Sequence, residues 1–178
     1  LNIRVMEQLV KVLSDLKNAG NEIILVSSGA IAMGVGKLNL PCKPSDMPGK
    51  QAAAAVGQCE LMYTYDRLFA QFNHPVAQIL LTSEDVDHES RRENIRNTME
   101  RLLSLGVLPI INENDTIATA EIKVGDNDTL GAIVANCIDE DLLILMSDID
   151  GLYTSDPRTN PTASLIPVVE EVTEAIEL

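Results

Sequence analysis

Leu105-Gly106-Val107-Leu108-Pro109-Ile110-Ile111-Asn112-Glu113-Asn114-Asp115 changes character twice within eleven residues. Before it, Ile95, Met99, Leu102 and Leu103 recur at helical spacing, and Leu105-Gly106 closes that helix. An apolar run, Val107 to Ile111, follows at once, and amides and carboxylates then crowd the turn. A short continuous apolar run between such signals is the pattern of a parallel strand buried on both faces. The same kind of run recurs at Ile23 to Val26, Val76 to Leu81 and Leu142 to Met146, with helical stretches lying between the successive runs. An amphipathic helix opens the chain from Leu1 to Leu16 and stops at Asn18-Ala19-Gly20, and Gln51 to Phe72 is the other long helical candidate. This alternation predicts an α/β fold with a mainly parallel open sheet. Only Thr116 to Val124 breaks the rhythm, with β-branched residues alternating with small and charged ones as in a hairpin or extended arm.

The 178 residues suffice for one hydrophobic core, and no Pro/Gly/Ser-rich linker divides them, so residues 1–178 read as a single domain. Thirteen basic and 27 acidic residues leave a net charge of −14, which argues against nucleic acid or an anionic membrane as the main partner. A bound nucleotide needs local positive groups against that background. Cys42, Cys59 and Cys137 are odd in number, widely spaced and free of any CxxC or Cys/His cluster, which argues against disulfides and structural zinc and for a reducing cytoplasm. No apolar run approaches the ~20 residues that span a bilayer, and no signal peptide precedes the first helix. A soluble protein is expected.

In open parallel sheets, ligands bind beyond the carboxyl ends of the strands. That rule directs attention to Ser27 to Ala30, Asn112 to Asp115, and Ser147-Asp148. Ser27-Ser28-Gly29-Ala30 can hold an anion on free helix amides with the hydroxyls assisting, although for this stretch by itself a plain N-cap with a tight glycine turn is the favoured explanation. Gly29, Gly34 and Gly36 fit neither GxGxxG nor the P-loop, because Lys37 is followed by Leu38. Asp126-Asn127-Asp128 after Gly125 can coordinate Mg²⁺, order a lysine or hold an amino group. Capping of a helix that begins near Thr129 accounts for part of this cluster, but three consecutive Asx residues exceed what a cap needs. Ser147 to Arg158 again places polar groups after an apolar run, with a capped loop as the bland alternative. His74 and His88 stand alone and receive no catalytic or ligand role, and no residue is assigned to a protein-built metal site.

Taken together, Ser28-Gly29-Ala30, Asn112-Glu113-Asn114-Asp115, Glu121 to Asp128 and Asp148-Ile149-Asp150-Gly151-Leu152-Tyr153-Thr154 resemble the glutamate 5-kinases in order and spacing, over essentially the whole chain. That family lies within the amino acid kinases, whose fold is an αβα sandwich with a mainly parallel open sheet of about eight strands. The Asn112 to Asp128 string is the specific part of the likeness. The resemblance implies transfer of the γ-phosphoryl of ATP to the side-chain carboxylate of L-glutamate, giving γ-glutamyl phosphate, the first step towards proline. It implies ATP and Mg²⁺ as cofactors, the ion arriving on phosphate oxygens and water. By the same resemblance Ser28, Asp115 and Asn127 are glutamate-binding, Ser147 and Asp148 nucleotide-binding, and Asp128 catalytic through its ordering of lysines. A homo-oligomer and feedback inhibition by proline are further implications.

Members of the family begin with a lysine-bearing strand and a Gly-Thr-Ser type turn, and carry a glycine-rich segment with a second lysine after the region matched by Glu170 to Leu178. The domain is therefore expected to be incomplete at both ends, and this chain by itself to be unstable or inactive. The kinase half of a bifunctional pyrroline-5-carboxylate synthase and a non-catalytic glutamate- or nucleotide-binding protein on the same fold are the alternatives.

Overall fold

The structure is a computed structural model that describes residues 2–117 and 127–172. By contacts the chain separates into two units, one up to Leu143 and one from Ile144.

The first unit is α/β. Helices α1 (Ile3–Asn18), α2 (Ala30–Lys37), α3 (Met47–Ala70), α4 (Ser83–Asp87), α5 (Glu89–Ser104) and α6 (Asn127–Ile138) alternate with strands β1 (Leu25–Val26), β2 (Val76–Leu81) and β3 (Leu108–Glu113). The three strands form a parallel sheet in the order β1-β3-β2. β3 is central, and its residues from Leu108 to Asn112 are buried, as the unbroken apolar run predicts. Successive side chains of β3 face opposite layers. Ile110 packs with Met6 and Val10 of α1 and with Leu61, Tyr65, Leu68 and Phe69 of α3. Ile111 packs on the other side with Leu81, Met99 of α5, and Leu130 and Val134 of α6. Helices therefore cover both faces of an open parallel sheet.

β1 is shorter than the Ile23 to Val26 run, and Pro109 gives the reason. The Ser27 amide donates to the Ile111 carbonyl at 2.8 Å, so the odd-numbered residues of β3 turn their backbone groups towards β1. Pro109 stands one such position earlier and has no N–H to donate. The ladder consequently begins at Leu25, which pairs with Ile110.

Helices α2 and α3 meet backbone to backbone. A Cβ built on Gly34 lies 1.8 Å from the Ala53 carbonyl oxygen, and one built on Gly57 lies 1.7 Å from that of Ala30. Neither position has room for any side chain, which fixes α2, and the turn that feeds it, against α3.

The structure differs from the sequence expectation at Leu142 to Met146, which is not a strand. Leu142 and Met146 are each 73% exposed. An apolar run becomes a strand only where neighbouring backbone completes its ladder, and no described residue pairs with it. In the second unit, Tyr153 and Leu165 form an antiparallel bridge, flanked by Ile166 N–H to the Leu152 carbonyl (2.8 Å) and Thr154 N–H to the Ser164 carbonyl (3.0 Å). The turn between them is built on Asp156, whose carboxylate accepts from Arg158 N–H at 2.9 Å. Of the expected hairpin or arm at Thr116 to Val124, all but its first two residues lies outside the described residues, and Thr116 and Ile117 form part of a turn.

Candidate functional site

The carboxyl ends of β1 and β3 carry a linked set of polar groups. After β1 the chain passes through Ser27 and Ser28 into Gly29, whose φ of 97° and ψ of 6° place it in the left-handed region. Glycine adopts that conformation without a Cβ penalty, and it is also the N-cap of α2. A glycine cap offers no side chain, so the first-turn amides of α2 are donors the helix itself cannot satisfy. Ser27 is buried, and its hydroxyl lies 3.0 Å from the Tyr65 hydroxyl. Burial raises the Tyr65 pKa above its ordinary value of 10.0, and the Ser27 hydrogen bond opposes this.

At the end of β3, Asn112 is 2% exposed, and both ends of its amide are hydrogen-bonded. Its Oδ1 accepts from the Glu113 amide at 2.9 Å and from Asn127 Nδ2 at 3.3 Å, while its Nδ2 donates to Gln58 Oε1 at 2.8 Å. Gln58, buried in α3, donates in turn to Gln78 Oε1 on β2 at 3.2 Å. Asn127, the first residue of α6, also donates to the Ser27 carbonyl. One amide chain thus runs from β2 through α3 and β3 to the start of α6 and the end of β1. Beside it lies a concavity lined by Ala30, Gln58, Glu113, Asn114, Asp115 and Thr116, among others. The Asn114 amide donates to the Leu81 carbonyl at 2.8 Å, which ties this rim to β2.

Three of the residues singled out from the sequence therefore belong to one sheet edge. Asp115 lines the concavity, Ser28 occupies the exposed turn just before α2, and Asn127 closes against Ser27 and Asn112. Asp128 is exposed in the first turn of α6, where a carboxylate is also favoured by the helix dipole. Ser147 and Asp148 belong to the second unit. There Ser147 Oγ accepts from the Ile149 amide at 3.4 Å, and Asp148 pairs with Arg158 at 2.6 Å. Asp126 and the preceding Glu121 to Gly125 lie outside the described residues. Among the described residues no group of three His, Cys, Asp or Glu side chains is placed to hold a metal ion, and no helix is long and apolar enough to cross a membrane.

Gln58, Gln78 and Tyr65 were not among the residues the sequence reading picked out. Gln58 carried a usable signal, since it falls on the helical stripe Ala54, Leu61, Tyr65 and Leu68, where a polar side chain must find a buried partner.

A three-layer α/β unit whose polar groups gather beyond the ends of parallel strands defines a ligand-binding open-sheet protein. The family model of the amino acid kinase family matches residues 2–177, and the chain belongs to that family. Proteins named glutamate 5-kinase are among its relatives. Those of Clostridium tetani, Carboxydothermus hydrogenoformans and Listeria welshimeri are 56%, 53% and 51% identical to it over 99% of this chain. The chain spans 66% of the Clostridium tetani and Listeria welshimeri proteins and 48% of the Carboxydothermus hydrogenoformans protein. A crystal structure of T. acidophilum isopentenyl phosphate kinase in a product complex matches the fold with a TM-score of 0.59 at 17% identity, covering 93% of this chain and 70% of that one.

Proposed function

We propose that this chain is the core of a kinase that transfers the γ-phosphoryl of ATP to the side-chain carboxylate of L-glutamate, forming γ-glutamyl phosphate for proline biosynthesis. The observation that carries this reading is the sharing of more than half of its residues with proteins named glutamate 5-kinase along nearly its whole length. The geometry of the strand ends supports it.

The attacking group is a carboxylate that is already ionised at neutral pH, so the protein needs no general base. Two anions must instead be brought together in line, which makes positioning and neutralisation the work of the site. Asp115 supplies an acceptor for the substrate ammonium group, on the rim it shares with Glu113, Asn114 and Thr116. Ser28 and the first-turn amides of α2 donate to a substrate carboxylate. Asn127 adds a polar contact at the same edge. Asp128 orders the lysines that neutralise the transferring phosphoryl group, and Ser147 and Asp148 contact the nucleotide. Mg²⁺ would arrive with ATP, held mostly by phosphate oxygens and water, and would supply charge neutralisation there. The protein is further proposed to act in the cytoplasm as a homo-oligomer inhibited by proline.

The test is ATP- and glutamate-dependent acyl phosphate formation by the full-length protein, trapped with hydroxylamine. Hydroxamate that requires both substrates is the expected result. Binding of glutamate without hydroxamate would establish a non-catalytic protein instead.

A further inference from the structure

We infer that Gln58 is a positioning residue: by accepting from Asn112 it holds in place the amide, oriented by the Glu113 N–H, whose oxygen receives Asn127, and it thereby supports the affinity of the site for its amino acid substrate. The inference rests on the proposed role of Asn127 in glutamate binding.

The argument is one of hydrogen-bond direction. An amide side chain can be reversed end for end, and only its partners decide which way it points. The Glu113 backbone N–H can only donate, so the Asn112 end that meets it at 2.9 Å must be the oxygen. Asn112 Nδ2 is thereby directed at Gln58 at 2.8 Å, which requires Gln58 to present its own oxygen there and its nitrogen to Gln78. Gln58 is 7% exposed and Asn112 2%, so neither can exchange these partners for water without cost. The oriented Asn112 Oδ1 then accepts Asn127 Nδ2, which also reaches the Ser27 carbonyl. With its nitrogen committed to two protein carbonyl oxygens, Asn127 is left with its own amide oxygen as the group to offer a ligand. That group is an acceptor, suited to an ammonium and unsuited to a carboxylate. Gln58 therefore acts at second hand, although it also lines the concavity that holds Asp115.

Gln58→Met keeps the length and most of the volume of the side chain but leaves Asn112 Nδ2 without its acceptor. Gln58→Glu restores an acceptor at the same place. In the full-length protein, Gln58→Met is expected to raise the KM for glutamate about tenfold, the effect of one lost buried hydrogen bond of ~1.4 kcal/mol. The KM for ATP should stay within about twofold, and Gln58→Glu should recover most of the loss. A purely structural role would lower the melting temperature and the active fraction without separating the two KM values. The second measurement needs no turnover: the side-chain amide resonances of ¹⁵N-labelled asparagine in the ligand-free protein, where Gln58→Met is expected to shift Asn127 and Gln58→Glu to return it. An unmoved Asn127 resonance overturns the positioning claim whatever the substrate proves to be. A moved resonance in a protein that does not phosphorylate glutamate leaves Gln58 as the positioning residue and overturns only its link to that substrate. A folded Gln58→Met variant with an unchanged glutamate KM in an active kinase sinks the link to affinity.

Discussion

Asp115 stands on the rim of a concavity whose other walls are the start of α2 and the inner face of α3, and its charge is the property the proposed chemistry uses. Asp115→Asn keeps the shape and removes the charge. Loss of one charge-assisted contact to an ammonium is expected to raise the glutamate KM about ten- to hundredfold, with little change for ATP, as steady-state kinetics on the full-length protein will show. Tyr65 makes a different prediction. Because burial raises its pKa in the folded state, the neutral phenol stabilises the fold at pH values below the ordinary 10.0, and that contribution is lost as pH rises through the higher folded value. Tyr65→Phe lacks the ionisation. Urea midpoints measured from neutral to strongly alkaline pH are expected to fall more steeply for the native protein than for Tyr65→Phe above pH 10. Parallel curves would show that Tyr65 ionises equally easily in both states.

At the scale of elements, the contact between α2 and α3 is the most sensitive feature. Gly34→Ala and Gly57→Ala each force a methyl group into a backbone carbonyl, and each is expected to lower stability by about 1–3 kcal/mol or more, read as a drop in the denaturation midpoint. Gly36→Ala, on the same helix but with open space at its Cβ, serves as the control. Helices α1, α3, α5 and α6 and three of the four apolar runs were legible in the sequence because both obey local patterns, whereas the short α4 was not. Ile95, Met99, Leu102 and Leu103 mark α5, and Val76 to Leu81 marks β2 residue for residue. What escaped depends on partners distant in the chain. Ile23 and Ile24 look like strand residues, yet the ladder starts after them because Pro109, more than eighty positions away, lacks a donor. The glycines of α2 match no phosphate motif, and the role of Gly34 is visible only with the Ala53 carbonyl opposite it. The placement of Ser28, Asp115 and Asn127 at one sheet edge was legible because they follow apolar runs or open a helix. Gln78, lying within its strand, offered no such cue, and Gln58 offered only its place on the apolar stripe of α3.

For the whole chain, burial is unevenly divided. The central strand and α3 supply the core, whereas none of the described residues from Ile144 to Val172 is buried. Native-state amide exchange on this chain is expected to show slow exchange in Leu108 to Asn112 and in α3, and near-unprotected amides from Ile144 to Val172. The exposed run Leu142 to Met146 is wholly apolar and carries no charge, a combination prone to intermolecular association. Sedimentation is expected to reveal concentration-dependent association of this chain, reduced by Ile144→Lys. The backbone contact of α2 with α3 has a further consequence, for how such a site can change over generations. Two walls of the concavity are joined with no side chain between them to trim or enlarge, so variation there meets an immediate steric barrier. Laboratory selection for a longer or shorter acidic substrate should therefore accumulate its successful substitutions on the rim from Glu113 to Thr116, and leave Ala30, Gly34, Ala53 and Gly57 untouched.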